Sequence, residues 1–196
     1  MKKIIMFLLA SVSIGGLYAQ GSFTASYPIS FPMGDLSDYI GQTSFRGVTM
    51  EFNKRQKKNL DIGLEFSWHT FYERQDKKVY TEGTASVSGI QYRYTNSMPL
   101  LAGVKYYKET DGGNFMPYAG LGLGTLYINR STDLGMYRIT NETWQFALRP
   151  ELGVLIKAGP GVSGVLGVKY YAGFGTDDLD GQSYFSVNLG LMFSNF

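Results

Sequence analysis

The stretch Tyr184-Phe-Ser-Val-Asn-Leu-Gly-Leu-Met-Phe-Ser-Asn-Phe196 decides the fold. Bulky apolar side chains occupy every second position from Phe185 to Phe193, and small or polar residues occupy most positions between them. Because successive side chains of a β-strand point to opposite faces, this alternation predicts a strand with one apolar and one polar face. The pattern recurs along the whole chain, so the fold class is all-β.

Seven further segments alternate in the same way, over residues 22–31, 44–53, 60–72, 86–108, 116–129, 144–157 and 164–174. The parity of the longest segment does not change across Pro99, which favours one strand with a bulge or local break at the proline. A hairpin at Asn96-Ser97 is the alternative, and it would add a strand. The sequence therefore predicts eight strands, with ten as the alternative even number.

The connections between these strands alternate between short and long. The short ones are 53–59, 109–115 and 158–161, and the long ones are 32–43, 73–85, 130–142 and 175–183. Bacterial transmembrane barrels have an even number of strands, short periplasmic turns and longer external loops. This rhythm predicts an eight-stranded antiparallel transmembrane β-barrel.

The N-terminus has the pattern of a secretory signal. Lys2 and Lys3 precede an apolar or small run over 4–17, and Leu17-Tyr18-Ala19 is a plausible cleavage site. We therefore assign residues 1–19 to a signal peptide and residues 20–196 to one barrel domain. Without the two leader lysines the chain has 16 basic and 16 acidic residues, and we expect no nucleic-acid partner. The chain has no Cys, which excludes a disulfide scaffold.

The apolar faces are predicted to point outward. An eight-stranded barrel has an interior that side chains only just fill, and the Gly- and Ser-rich faces fit it better than the aromatic faces. Charged residues in mid-strand positions belong inside for a second reason, since a basic side chain at the bilayer midplane costs roughly 2–4 kcal/mol. We expect a lumen closed by an ion-pair network of Glu65, Arg93, Lys105, Arg149, Glu151 and Lys169.

The chain resembles the small outer-membrane β-barrels of the OmpX and OmpW type, and in particular the porin-like barrel family common in Bacteroidetes. The resemblance rests on the leader, the strand rhythm, the segments 117–124 and 149–153, and the terminal strand. In the family's barrel-assembly signal, Asn188, Gly190 and Phe193 match, and the last aromatic falls one residue late at Phe196.

This resemblance implies export through the Sec pathway and a place in the outer membrane of a Gram-negative cell envelope. The implied partners are outer-membrane lipid and lipopolysaccharide, the barrel-assembly machinery and a surface partner that contacts the external loops; the protein would be a monomer. A structural or surface-interaction role without enzymatic activity is expected. The alternative within the family is a narrow porin-like channel for small or hydrophobic solutes.

One constellation suggests catalysis instead. Glu65, Ser67 and His69 share one face of a strand, with neighbours about 6.6 Å apart along the backbone. A histidine and a serine act together in lipid A deacylase barrels, where the base must reach the nucleophile. Lipid A modification is therefore a further hypothesis, with these three residues as candidates. No metal ligand set or cofactor motif is present, and no cofactor or metal is expected.

Overall fold

The computed structural model describes residues 21–82, 85–108, 110, 114–134, 137–177 and 179–194. The predicted signal peptide, residues 109 and 111–113 of the predicted short connection 109–115, and Phe196 of the predicted assembly signal lie outside these ranges. Within them, no helix is both long enough and apolar enough to cross a membrane.

Eight strands and one short helix make up the described chain. In order they are β1 (Gly21–Met33), α1 (Asp35–Tyr39), β2 (Gly47–Lys57), β3 (Leu60–Glu82), β4 (Ala85–Tyr107), β5 (Phe115–Leu134), β6 (Tyr137–Gly159), β7 (Val162–Gly173) and β8 (Ser183–Ser194).

Each strand pairs antiparallel with its neighbours in sequence, and β8 pairs with β1 to close the ring. The closing ladder runs from Ser22 opposite Ser194 to Met33 opposite Ser183. The eight-stranded antiparallel barrel is therefore confirmed, and the ten-strand alternative is wrong. The β2–β3, β4–β5 and β6–β7 turns lie at one end, together with Gly21 and Ser194.

Pro99 causes no register shift. Pairing of β4 with β5 is continuous through Pro99 opposite Leu126, whereas pairing with β3 is interrupted between Phe66–Leu100 and His69–Ser97 and resumes in the same register. A local break without a bulge therefore accommodates the missing N–H, in agreement with one long strand.

Two segments predicted as polar loops are strands. Residues 73–82 continue β3, and most of 130–142 belongs to β5 and β6. The ladder of β3 with β2 ends at His69, and the ladder of β6 with β7 ends at Ala147. The outer parts of the four long strands thus extend past their short neighbours as a projecting sheet (residues 71–82, 85–95, 128–134 and 137–146). Near its base Phe71, Thr95 and Ile128 are buried, but no side chain is buried over 73–77 and 137–142, so water reaches both faces there, which explains the missing hydrophobic alternation of these residues.

The apolar side chains face outward in the barrel wall, as predicted. Phe66, Leu123, Phe146 and Leu191 are about half exposed, while Ser67, Arg149 and Asn188 at neighbouring positions are buried. We call this outward-facing surface the apolar belt. The inner face is less uniformly small than predicted, since it also carries buried Phe71, Tyr107, Tyr118, Tyr171 and Tyr184.

Candidate functional site: the closed lumen

Six buried charges from five strands meet in the middle of the lumen. Three are acids and three are bases, so the cluster is formally neutral, and each of the six residues is at most 5% exposed. We call this group the central ion cluster: Glu51, Glu65, Lys105, Arg149, Glu151 and Lys169. Paired charges with further hydrogen bonds are the form in which ionised groups persist in an interior.

Two of the acids lie directly opposite each other in the sheet. Glu51 on β2 is in register with Glu65 on β3, an arrangement of like charges that is destabilising by itself. The Lys169 ammonium group bridges them: it contacts the Glu51 carboxylate and lies 2.6 Å from Glu65 Oε2. The Lys105 ammonium contacts Glu51 from the other side. Glu51 is therefore the carboxylate that two lysines share.

The remaining pair joins β6 to this group. Arg149 Nη1 lies 2.6 Å from Glu151 Oε2, and Arg149 Nε lies 3.3 Å from Glu65 Oε2. Lys105 Nζ is 3.4 Å from Glu151 Oε1 and Lys169 Nζ is 3.9 Å from Glu151 Oε2. The Arg149 and Glu151 atoms are close enough to pair but are not aligned as hydrogen bonds. The cluster is thus connected across the full width of the lumen.

Glycines on the facing strands make room for these side chains. A Cβ atom on Gly122 would lie 2.9 Å from Arg149 Nε, and one on Gly120 would lie 2.5 Å from Glu151 Oε1. Gly120 and Gly122 of β5 therefore leave the space that the Glu151 and Arg149 side chains of β6 occupy. This is the crowded interior that the sequence pattern predicted.

An apolar plug closes the end of the lumen opposite Gly21 and Ser194. Leu36 and Ile40, from α1 and the residue after it, are fully buried among inward-facing side chains of the wall and Leu179 of the β7–β8 connection. Hydrogen bonds hold this segment: the Gly41 N–H donates to Glu73 Oε2 at 2.6 Å, and Arg93 Nη1 donates to the Tyr39 carbonyl at 2.9 Å. No sequence signal indicated this single helical turn.

Tyr39 ties the plug to the projecting sheet. Its hydroxyl donates to the Ser131 carbonyl at 3.1 Å and contacts Thr132 Oγ1 at 2.5 Å, and its ring lies under the guanidinium groups of Arg93 and Arg130. Burial raises the pKa of the Tyr39 hydroxyl, so this group stays a neutral donor at physiological pH.

A second apolar cluster closes the other end of the lumen. It consists of Tyr107, Tyr118, Leu155, Val165 and Met192, with Met116 packed against it. Tyr118 fits because Gly153 and Gly167 lie beside it, and a Cβ atom on either would come within 2.7 Å of the phenol. The Lys105 ammonium lies 5.1 Å from the Tyr118 ring centre. The lumen is therefore filled at three levels.

Of the six residues predicted for the network, the structure brings five together and separates one. Arg93 faces inward but lies higher in the barrel, where it donates to Gln91 Oε1 at 2.9 Å and to the Tyr39 carbonyl. The assignment of Arg93 to the central network was therefore wrong. Strand periodicity indicates which face of the sheet a residue lies on, but not its level along the barrel axis. Glu51 is the sixth member of the central ion cluster instead of Arg93. Its position on the inward-facing side of the β2 alternation was the sequence signal that could have identified it.

The three candidate catalytic residues are buried but do not form a Ser–His pair. Ser67 Oγ donates to Glu65 Oε1 at 3.0 Å, whereas His69 Nδ1 lies 2.8 Å from Ser30 Oγ. The His69 ring packs edge-on against Tyr171 and tilted against Tyr184, and its Nε2 has no hydrogen-bond partner among the described residues. Within the described ranges, no cluster of three or more potential ligand side chains could hold a metal ion.

The described residues of the predicted assembly signal lie on both faces of β8. Phe193 faces outward, while Asn188 faces inward and donates to Ser186 Oγ at 2.8 Å. Gly190 lies against Ser26 of β1, where a Cβ atom would come within 2.6 Å of the Ser26 Cα and Cβ atoms. The glycine thus permits close approach of the two strands that close the ring.

No protein-family model matches this chain, and no curated protein matches it in sequence. Solved structures do resemble it. Neisserial surface protein A superposes with a TM-score of 0.61 at 15% identity, over 89% of this chain and 97% of that one. The attachment invasion locus protein Ail of Yersinia pestis, in complex with the heparin analogue sucrose octasulfate, gives a TM-score of 0.55 at 13% identity, over 90% and 99%.

The outer membrane protease OmpT of Escherichia coli is also similar, with a TM-score of 0.51 at 8% identity, over 90% of this chain and 93% of that one. At such identities these similarities establish the fold and not the activity. The chain has the closed β-barrel fold found in outer-membrane proteins.

Proposed function

We propose that this chain is an integral outer-membrane β-barrel with a closed lumen and a structural or surface-interaction role, without enzymatic activity. The observation that carries the proposal is the three-level filling of the lumen by the external plug, the central ion cluster and the Tyr107–Tyr118 cluster. The apolar belt supports the membrane location, because a closed barrel satisfies its backbone hydrogen bonds internally and can expose apolar side chains to lipid.

The projecting sheet supports the surface-interaction part of the proposal. Its β3 edge beyond Thr70 and its β6 edge before Ala147 have lost their barrel neighbours. Free strand edges can accept an added strand from another chain through main-chain hydrogen bonds. On this proposal the interaction surface consists of these strand edges, together with the α1 segment and the β7–β8 connection.

Single-channel recording of the refolded protein tests the closed lumen. A heat-modifiable shift on a gel first establishes that the barrel is folded, and the protein is then inserted into a planar bilayer. We expect no discrete conductance steps, because the central ion cluster fills the lumen between two apolar clusters. Reproducible steps from folded protein would contradict the closed lumen and favour a narrow channel.

The channel is the second candidate function, and one observation favours it. Several buried polar atoms along the lumen have no hydrogen-bond partner within the described ranges: Thr49 Oγ1, Thr95 Oγ1, His69 Nε2 and Asn188 Oδ1. Buried polar atoms of this kind are commonly hydrogen-bonded to ordered water, which would wet part of the lumen. If conductance appears, Glu51→Gln should change its ion selectivity, because it removes one negative charge from the lining.

The non-enzymatic part of the proposal has its own test. Its support is that Ser67 and His69 each hydrogen-bond to another residue inside the filled lumen. We expect the refolded protein to leave the acyl chains of lipid A intact, as judged by mass spectrometry of the extracted lipid. Deacylation that is lost in Ser67→Ala would overturn this part and make the Ser67–His69 hypothesis the leading one.

A further inference from the structure

A groove lies on the outer wall where the short strand β2 adjoins the long strand β3. It has a volume of about 200 Å³ and is lined by Thr70 and Tyr72 of β3 and by residues 42–46, which precede β2. The groove is therefore outside the lumen and separate from the central ion cluster. It arises because the wall drops in height between these two strands.

Two arginines near this groove, Arg46 and Arg74, have no carboxylate partner among the described residues. The Arg46 side chain is exposed, and its guanidinium carbon lies 5.5 Å from the centre of the Tyr72 ring. Arg74 is also exposed and lies two residues beyond Tyr72, on the same outward face of β3. Guanidinium groups bind phosphate through paired hydrogen bonds, and stacking on an aromatic ring holds such a group in place.

The backbone adds further donors at the same place. The Thr70 N–H donates to the Arg46 carbonyl at 2.9 Å, which is the last backbone bond between β3 and the chain leading into β2. Alternate residues of a strand direct their N–H groups to the same side. The amides of Tyr72 and Arg74 therefore face the open edge, where no neighbouring strand continues.

The groove sits directly above the apolar belt. Trp68, two residues before Thr70 on β3, is 45% exposed, and Phe45 at the rim of the groove is 60% exposed. The Tyr27 hydroxyl donates to the Phe45 carbonyl and anchors this rim to β1. Since exposed tryptophans mark the level of the membrane interface, Arg46 and Arg74 lie at the height of lipid headgroups.

Aromatic rings extend the groove along the wall. Tyr72 contacts Tyr94 with ring centres 5.0 Å apart, and stacks on Tyr92 at 6.4 Å. Thr70 Oγ1 and the Asn96 side chain form a polar row below them, joined by a 2.8 Å hydrogen bond. The surface above the belt thus combines cations, ring faces and hydroxyl or amide groups. Such a surface is complementary to a phosphorylated sugar. Basic sites beside a bilayer are known to bind lipid headgroups.

We propose that this groove binds the phosphorylated sugar headgroup of a lipid A-type glycolipid from the surrounding leaflet. Arg46, Arg74 and the edge amides contact a phosphate, Tyr72 and Tyr94 pack against a sugar ring, and Phe45 lies along the acyl chains. A lipid is the occupant because the groove adjoins the apolar belt and is lined by outward-facing Thr70 and Tyr72 of β3 and by exposed Phe45. The proposal rests on the outer-membrane location proposed above.

Lipid binding by the folded protein tests the proposal. The refolded protein in phosphatidylcholine nanodiscs is titrated with bis-phosphorylated lipid A, with dephosphorylated lipid A and with phosphatidylglycerol, and tryptophan fluorescence reports binding. We expect bis-phosphorylated lipid A to bind more tightly than the other two lipids. The double variant Arg46→Gln/Arg74→Gln should weaken that binding by about tenfold or more, since it removes the charge-assisted hydrogen bonds of two guanidinium groups to the phosphate.

Arg138→Gln is the matched control. Arg138 is an exposed arginine of the projecting sheet, three strands away from Arg74 in the same row, where it pairs with Asp133. This substitution removes one positive charge from the same end of the molecule, as each half of the double variant does, and we expect the Arg138→Gln protein to bind lipid A like the wild type. An equal loss in Arg138→Gln, wild-type binding by the double variant, or equal binding of phosphatidylglycerol would each overturn the proposal. Insertion of the protein into phosphatidylcholine nanodiscs is measured separately. Failure of lipid A binding can therefore be distinguished from failure of the proposed membrane location.

Discussion

At the scale of single residues, Glu51 is the position on which the buried charges depend most. Its carboxylate contacts both Lys105 and Lys169, and it faces Glu65 across the sheet. Removing one partner of a buried ion pair leaves an uncompensated charge, whereas removing an acid and a base together keeps the lumen neutral. The formal balance of three acids and three bases is thus as important as any single contact.

We therefore expect Glu51→Gln to lower the free energy of unfolding by about 3–5 kcal/mol, measured by urea denaturation of the barrel in lipid vesicles. The double variant Glu51→Gln/Lys105→Gln should recover part of this loss. Glu142→Gln is the control, because Glu142 is exposed and bonded to the Asn129 amide, and its effect should stay within about 0.5 kcal/mol. Unchanged stability in Glu51→Gln would show that the six charges do not act as a paired network.

Gly124 supports a second prediction at this scale. A Cβ atom there would lie against the Leu100 carbonyl oxygen and 3.0 Å from the Leu101 Cα, both of which are backbone atoms that cannot rotate away. We expect Gly124→Ala to lower the free energy of unfolding by about 1–3 kcal/mol in the same assay. Gly159→Ala has open space within 4 Å and should be neutral by comparison. Equal effects of the two substitutions would contradict this argument.

At the scale of elements, the β6 edge of the projecting sheet has two kinds of position. The Phe174 N–H donates to the Phe146 carbonyl, so the even-numbered residues of this stretch direct their backbone groups to the open edge. Odd-numbered residues such as Ile139 face β5, where Ile139 is in register with Thr132. A proline therefore has different consequences at adjacent positions.

We expect Thr140→Pro to leave the melting temperature of the barrel nearly unchanged, because the lost N–H points to water. Ile139→Pro should lower the free energy of unfolding by about 1 kcal/mol or more, because it removes a ladder hydrogen bond to β5. Equal destabilisation by both substitutions would mean that the β6 edge is not open.

The strands of the barrel wall were predictable from sequence because each has an apolar face on the outer surface and another face toward the lumen. This contrast gives the period-2 pattern of 60–72, from which the strands were counted. The direction of their apolar faces followed from the bulk of the aromatic faces and from the mid-strand charges. The same contrast is absent in 73–77 and 137–142, where no side chain is buried. These segments were therefore predicted as loops, although they are strands.

The lumen was less predictable because its contacts depend on register and height. Period-2 parity assigned Glu65, Lys105, Arg149, Glu151 and Lys169 to the interior, but it could not place Arg93 at a different level. It also could not show that Glu51 faces Glu65, since that requires the β2–β3 register. The α1 plug has a single helical turn, which is too short to produce a helical periodicity.

At the scale of the whole molecule, the apolar belt is the surface that the proposed outer-membrane location would place in lipid. Leu123 is half exposed and lies near the middle of the outward-facing positions of β5, between Ala119 and Tyr127. Ser131 lies on the same face of the same strand, above the level of Tyr127 and Trp144, whose rings are in contact. The two positions sample the bilayer centre and the region outside it.

We expect Leu123→Arg to make the free energy of folding into phosphatidylcholine bilayers less favourable by about 2–4 kcal/mol, because the charge would lie near the midplane. Ser131→Arg should cost at most about 1 kcal/mol. Reversible folding in urea, followed by tryptophan fluorescence, measures both values. Similar costs at the two positions would contradict the placement of the belt in the membrane.

The closing ladder joins Ser22 to Ser194, two residues separated by almost the whole described chain. Every other strand pair can form as a local hairpin, but this one must bring together the two most distant strands. Closing such a long loop costs conformational entropy before the contacts between β1 and β8 form and lower the free energy. Ring closure should therefore be the slow step of folding. Before closure, β1 and β8 both have unpaired strand edges, which can form hydrogen bonds with another chain and lead to aggregation. The rate of ring closure therefore determines how long the folding intermediate is exposed to aggregation.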